Sequence, residues 1–148
     1  MSILVNIKNS EGRAEYTKLL ENSVQKGECP LCFEVLLRIK KEILHEIDGW
    51  ILVPNAYPYA GTEKHLLILP KEHIDNLEVL TTTDLKAIHQ LFLWAQERYH
   101  FPGGAFTMRF GDLAYSGATI RHVHCHIIVP AKDNTSGIIS KVVFPIAH

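Results

Sequence analysis

No stretch of this sequence approaches the ~20 consecutive apolar residues that a helix needs to cross a bilayer. The first residues, Met1-Ser-Ile-Leu-Val-Asn-Ile-Lys8, lack the pattern of a cleavable signal. A cytoplasmic protein without a membrane segment is therefore expected. Cysteine is scarce, and three in 148 residues do not make a disulfide framework. Neither sign of charge dominates. The formal net charge of -1 leaves no broad basic surface for a nucleic-acid partner. Single nucleotides stay open, because a local cluster of histidines and backbone amides can bind phosphate. Repeats, linkers and low-complexity segments are also missing. Hydrophobic residues at 47% and charged residues at 21% match an ordinary globule. The length suits one domain, residues 1–148, with a core that needs no staples.

What is present in excess is histidine in one place. Arg121-His-Val-His-Cys-His-Ile-Ile-Val-Pro130 alternates His122, His124 and His126 with apolar residues. In an extended strand successive side chains point to opposite faces. The three imidazoles then share one face, and Val123, Cys125 and Ile127 share the other, with Cys125 a buried thiol. In a helix the same histidines would spread through about 200°. Valine and isoleucine favour the strand, and Pro130 ends it. Three readings follow: a polar sheet face, a metal site of neutral imidazoles, or covalent catalysis by one histidine served by its neighbours. For phosphoryl transfer, His124 is the first choice of nucleophile, with a histidine two residues away on either side.

The remaining chain reads as a sheet and two helices. Residues 13–26 carry Tyr16, Leu19, Leu20 and Val24 at helical spacing, with Gly27 as C-cap. The stripe is weakly apolar and predicts a surface helix of little functional content. Cys29-Pro-Leu-Cys32 suits a zinc knuckle, a redox pair or two buried cysteines. No thioredoxin-like context surrounds it. Leu36 to Ile47 is ambiguous between helix and strand, Asp48-Gly49 signals a hairpin, and Trp50 to Val53 is its second arm. Pro54 to Gly61 is a loop, and His65 to Leu69 a strand closed by Pro70. Thr82 or Thr83 is the expected N-cap of the clearest helix, over 83–99. Its expected core stripe is Leu85, Ile88, Phe92, Ala95 and Tyr99. Ala105 to Phe110 reads as a strand, Gly111 to Thr119 as a loop, and Ile138 to Ile146 as a further strand or an apolar arm. The sum is an α+β fold, with strands near 41–47, 50–54, 65–70, 105–110 and 122–129 in a mainly antiparallel sheet and one long helix on a face.

His122-Val-His124-Cys-His126-Ile-Ile resembles the signature of the histidine-triad (HIT) family of nucleotide hydrolases and transferases. His65-Leu-Leu-Ile-Leu-Pro-Lys-Glu-His73 resembles the family's upstream strand. The likeness covers about Cys29 to Pro130, with the 13–26 helix and a 131–148 arm outside it. It implies a HIT-like five-stranded fold, commonly a homodimer. The implied activity acts on dinucleoside polyphosphates or nucleoside phosphoramidates. His124 would attack the α-phosphate and carry a nucleotidyl-histidine intermediate, and His126 would stabilise or protonate phosphate and leaving group. The resemblance places Gly117 and Thr119 at the α-phosphate, and Ser116 offers a further hydroxyl there. It places Asn55 near the ribose, where a turn-forming role is the competing explanation, and His65 as the upstream histidine. Some relatives hold structural zinc at the positions of Cys29, Cys32, His73 and His122, a set that closes a tetrahedral shell.

The chain departs from the pattern in three places. Many members carry asparagine or glutamine where this chain has Gly111, and Arg109 is the candidate substitute. Lys64 stands where glycine is usual, and Ala131 where arginine follows the proline. Two other function classes compete: a metal-dependent hydrolase using the triad as an open zinc site, and a nucleotide-binding module without turnover.

Overall fold

The computed structural model describes residues 4–10 and 13–147. Met1 to Ile3 of the stretch read for a signal, and His148 at the end of the arm, lie outside the described residues. Five strands form one antiparallel sheet in the order β1-β2-β3-β5-β4. These are β1 (His45–Ile47), β2 (Trp50–Pro54), β3 (Thr62–Pro70), β4 (Ala105–Met108) and β5 (Cys125–Pro130). The helices are α1 (Ala14–Lys26), α2 (Phe33–Arg38), α3 (Thr82–Tyr99) and the single turn α4 (Leu113–Ser116). Among the described residues, no helix is long and apolar enough to cross a membrane.

Period-two alternation sorts the sheet into two faces. Trp50, Leu52, Leu66 and Ile68 pack with Val123, Cys125 and Ile127 under α3. Ile51, Val53, Leu67 and Leu69 point the other way, toward Leu36 of α2. His65 and His126 lie on this second face. Leu67 pairs with His126 and His65 with Ile128, so the two imidazoles are diagonal neighbours. Cys125 is a free, buried thiol in the α3-side core, as its place in the alternation predicts.

Several boundaries differ from the expected ones, each for a local reason. The histidine strand enters the ladder only at Cys125, opposite Met108, where β4 ends, and Ile68; β3 runs on to Pro70 paired with β2 alone. Upstream, the Val123 N–H donates to Ile74 O at 2.7 Å and the Arg121 N–H to Leu4 O at 2.7 Å. The chain bends at Arg121 and His122, and Val123 packs into the core while His122 and His124 do not. The ambiguous 36–47 segment divides into the end of α2, a break with Lys40 at φ 54°, and the short strand β1. Asp48 (φ 48°) and Gly49 (φ 81°) form the two-residue hairpin turn that needs positive φ at both positions. β3 begins three residues earlier than His65, with a register shift between Thr62 and Lys64. β4 stops at Met108 instead of Phe110. The 111–119 loop contains α4, capped by the Asp112 side chain and by Gly117 at φ 73°. After Pro130 there is an isolated bridge, Lys132 to Ile139, and then an arm without a strand.

The N-cap of α3 is Thr81, not Thr82 or Thr83. Asp84 is then the third helical residue, and its carboxylate accepts from the Thr81 N–H at 2.8 Å while Asp84 N–H donates to Thr81 Oγ1 at 3.3 Å. The buried stripe is Ala87, Ile88, Leu91 and Ala95; Leu85 is exposed, and Phe92 and Tyr99 sit at the core margin. Asp84 also accepts from the Trp50 indole N–H at 3.0 Å, joining the helix start to the buried β2. Hydrogen bonds from the Thr81 backbone and the Trp50 indole hold the Asp84 carboxyl below its usual range. Asp84→Ala removes the cap and orphans the indole N–H. It should cost about 1–3 kcal/mol in urea unfolding, and an unchanged midpoint would contradict the coupling.

Candidate functional site

The three histidines of the motif occupy two stations on one side of the chain. His122 is buried and its Nε2–H donates to Pro70 O at 3.0 Å. Its Nδ1 lone pair therefore faces Cys29 Sγ at 3.6 Å, His73 Nδ1 at 3.2 Å and Cys32 Sγ at 3.9 Å. Cys32 Sγ lies 3.2 Å from His73 Nδ1. The ligand atoms of these four residues all fall within 4.8 Å of one another. Zinc bonds of about 2.3 Å to sulfur and 2.0–2.1 Å to nitrogen at tetrahedral angles give edges of about 3.3–3.8 Å. The observed separations scatter about those edges, so the donor set fits the metal. Burial pushes the Cys29 thiol up to about 12, and a cation between the ligands is what would let it ionise.

His124 and His126 form the second station. His124 Nδ1–H donates to the His122 carbonyl at 2.6 Å, so its Nε2 carries the lone pair. A relay fixes His126 in the opposite sense. The Tyr59 N–H donates to His65 Nδ1 at 3.1 Å, which places the His65 proton on Nε2. That proton is donated to His126 Nδ1 at 2.9 Å, leaving His126 with Nε2–H. His126 Nε2 is buried and has no protein partner among the described residues. Adjacent rings, 4.9 Å apart at their centroids, thus present one acceptor and one donor. Burial, aided by the charge of Arg13, holds His65 at about 4. Burial is also the main cause that holds His124 low and His126 well below its ordinary value. The pair is neutral near pH 7.

Both face a cavity of about 160 Å³. Asn55, Gly117 and Thr119 line it. Asn55 Oδ1 accepts from the Tyr57 N–H at 2.9 Å, a turn-forming bond, while its Nδ2 lies 3.4 Å from His65 Nδ1. The Thr119 hydroxyl is bonded to the Tyr16 hydroxyl, and Ser116 Oγ accepts from the Ala118 N–H at 3.3 Å. Ser116 lies on the far side of the loop, against a smaller pocket. Asn9 pins the loop from below, donating to Leu113 O at 3.0 Å and Ala118 O at 2.7 Å.

Residues that the sequence pattern left unmarked complete the cavity. The surface-helix reading of α1 fails at its N-terminal end, where Arg13 and Tyr16 line the cavity and the guanidinium lies 4.5 Å above the Tyr16 ring. Arg13 and Tyr16 are three apart, a spacing that shares a helix face, and this was the available signal. Tyr59 stacks on His126 at 5.9 Å and tilts against His65 at 4.7 Å. The C-terminal arm returns to the site as well. Phe144 meets the His126 ring edge-on at 5.3 Å, and Pro145 O accepts from Arg109.

A family model described as Scavenger mRNA decapping enzyme C-term binding matches residues 28–141. No curated protein matches the sequence. Among solved structures the chain is similar to a hypothetical protein from Leishmania major at 23% identity and TM-score 0.59, over 82% of this chain and 84% of that one. It is similar to the Plasmodium falciparum diadenosine triphosphate hydrolase, solved in complex with cyclomarin A, at 21% identity and TM-score 0.52, over 64% of each chain. A Zn-bound histidine triad family protein from Mycobacterium smegmatis aligns at 19% identity and TM-score 0.51, over 73% of this chain and 80% of that one. At these identities the structural likeness establishes the fold. Arg13 and α1 lie outside the matched family range.

The neutral histidines give the stability a defined pH dependence. His65 titrates at about 4 in the fold and near 6.5 in the unfolded chain. Between those values the unfolded state binds more protons, so acidification favours unfolding, and His126 acts in the same direction. The melting temperature should therefore fall as pH drops from 6.5 toward 4. That window lies above the lowered pKa values of Asp84 and Asp133, whose ordinary value is 3.8. A melting temperature that is flat or rises through it would show that the imidazoles are charged in the fold.

Proposed function

The chain belongs to the histidine-triad family, and on that premise we propose that it is a nucleotide hydrolase or nucleotidyltransferase acting at the α-phosphate of a phosphoanhydride or phosphoramidate. The observation that carries the reading is the 2.6 Å bond from His124 Nδ1–H to the His122 carbonyl. It leaves the His124 Nε2 lone pair for attack on phosphorus. His126, with its proton on the unpartnered Nε2, is the hydrogen-bond donor to a phosphate oxygen as charge develops on it. His65 is a positioning residue that sets the His126 tautomer. In the first step the N–P bond forms and the bond to the leaving group breaks. In the second, water attacks phosphorus and releases His124 with the nucleotide. In this reading Asn55 binds the ribose and Gly117 and Thr119 the α-phosphate, while Ser116, outside the cavity lining, braces the loop. The relative described as a diadenosine triphosphate hydrolase supports a nucleotide substrate of this kind. A homodimer in the cytoplasm belongs to the same proposal.

Cys29, Cys32, His73 and His122 are the residues that would hold zinc. A shell of four protein ligands supplies structure, not an open position for substrate. The Zn-bound relative supports this assignment. It commits His122 to the cysteine cluster, which removes one ligand from the alternative of an open triad metal site.

His124→Ala should lower turnover beyond the ~10²–10⁴-fold of lost acid–base help. Rapid quench with α-labelled nucleotide should trap label on the wild-type protein and none on the variant. Near-normal turnover by a folded His124→Ala protein ends the covalent reading. Protein purified without added metal should carry about one zinc per chain, and Cys32→Ser should lower the melting temperature. Absence of metal, with Cys29 and Cys32 both titrating as free thiols in the fold, would remove the zinc.

A further inference from the structure

The chain has 16 acidic and 15 basic residues, apart from histidine. The cavity beside His124 and His126 does not share that balance. Among the described residues, Arg13, Lys41 and Arg109 line it, and no aspartate or glutamate does. Arg109 acts on both His124 and His126. It is held in place by neutral groups. One guanidinium nitrogen donates to Ser116 O and Pro145 O, the other to the Tyr59 hydroxyl at 3.0 Å, and the plane lies 3.8 Å from the Phe144 ring. The fit against the loop is close. A Cβ on Gly117 would sit 3.1 Å from Arg109 Nη1 and 3.0 Å from Pro145 O, and Gly117 has φ 73°. These partners fix the guanidinium without neutralising it, so its charge is left for an anion in the cavity.

The two candidate leaving groups ask for different help. When His124 Nε2 bonds to phosphorus, the electron pair of the broken bond goes to the leaving group. In a phosphoanhydride that group is a nucleoside phosphate, which departs as an oxyanion and needs positive charge. In a phosphoramidate it is an amine, which needs a proton. Arginine supplies fixed charge and forked donors but does not give up a proton. We infer that Arg109 is a specificity-determining residue for a leaving group that departs as a phosphate anion, so that the substrates are nucleoside polyphosphates joined through a phosphoanhydride in preference to phosphoramidates of amines. The inference rests on the nucleotidyl transfer proposed above.

The test uses the full chain with diadenosine triphosphate and an adenosine 5′-phosphoramidate of an alkylamine, which share the same adenylyl half. Wild type should show the higher kcat/KM on the anhydride. Arg109→Gln should lower that value by ~10²-fold, the scale of losing a donor to a developing oxyanion, and at least ~10-fold further than on the phosphoramidate. Arg109→Lys, which keeps the charge, should retain part of the preference, and it replaces the glutamine variant if that protein does not fold. A wild-type preference for the phosphoramidate, or equal losses on both substrates, overturns the inference. Binding of ADP against adenosine separates this failure from failure of the transfer reading. Stronger ADP binding that depends on Arg109, in a protein that turns over neither substrate, supports the anion site and removes only the role of His124. Equal ADP-to-adenosine affinity ratios in wild type and variant remove the anion site.

Discussion

The hydrogen bond from His124 Nδ1–H to the carbonyl of His122, 2.6 Å long, is the constraint on which the site depends. It joins two stations that share no side chain. On one side of it, His122 is clamped between Pro70 O and the sulfurs of Cys29 and Cys32. On the other, the imidazole of His124 is left with a single lone pair facing the cavity. Displacing the carbonyl would free the ring to rotate and to exchange tautomers. Order in the Cys29–Cys32 segment is therefore transmitted to the proposed nucleophile through one residue of backbone.

Neutrality of the histidines is the second requirement, and burial supplies most of it. His65 is held at about 4, and His126 well below its ordinary value, chiefly because their rings are removed from water. The charges of Arg13 and Arg109 push in the same direction. A nearby carboxylate would oppose this by favouring imidazolium. Among the described residues no carboxylate lines the cavity, which keeps these rings neutral and leaves fixed positive charge nearby. The direction of each proton then follows from the single N–H of Tyr59, which enters the relay at His65.

Both ends of the described chain converge on this site. Arg13 and Tyr16 reach it from α1, and Phe144 and Pro145 from the arm. Tyr59 stands between them, near Arg13 at 5.6 Å, bonded to Arg109, and facing Phe144 at 6.0 Å. The matched family range runs from 28 to 141, so Tyr59 and Arg109 lie within it while Arg13, Tyr16, Phe144 and Pro145 lie outside. The differences between this cavity and those of its structural relatives are expected to concentrate there.

The sequence by itself determined the sheet, the long helix and the spacing of the histidines. Alternation of period two in 122–129 and of the strands before it, the Asp48-Gly49 turn and the α3 periodicity are all local properties, so they are visible in short windows. The four metal-ligand candidates were legible by residue type and spacing, through resemblance to a known family. What only the tertiary structure decided was where the strand begins, how the protons are arranged and what walls the cavity. β5 starts at Cys125, where β4 ends and its ladder with β3 stops at Ile68, and that depends on pairing with a segment over fifty residues away in sequence. Arg13, Tyr59 and Phe144 carry no motif, and Arg109 stands out only as the substitute for a residue the family pattern has and this chain lacks. An arginine or tyrosine in a loop or at a helix start looks the same in sequence whether it meets water or an imidazole, and only the closing of the chain brings these four together.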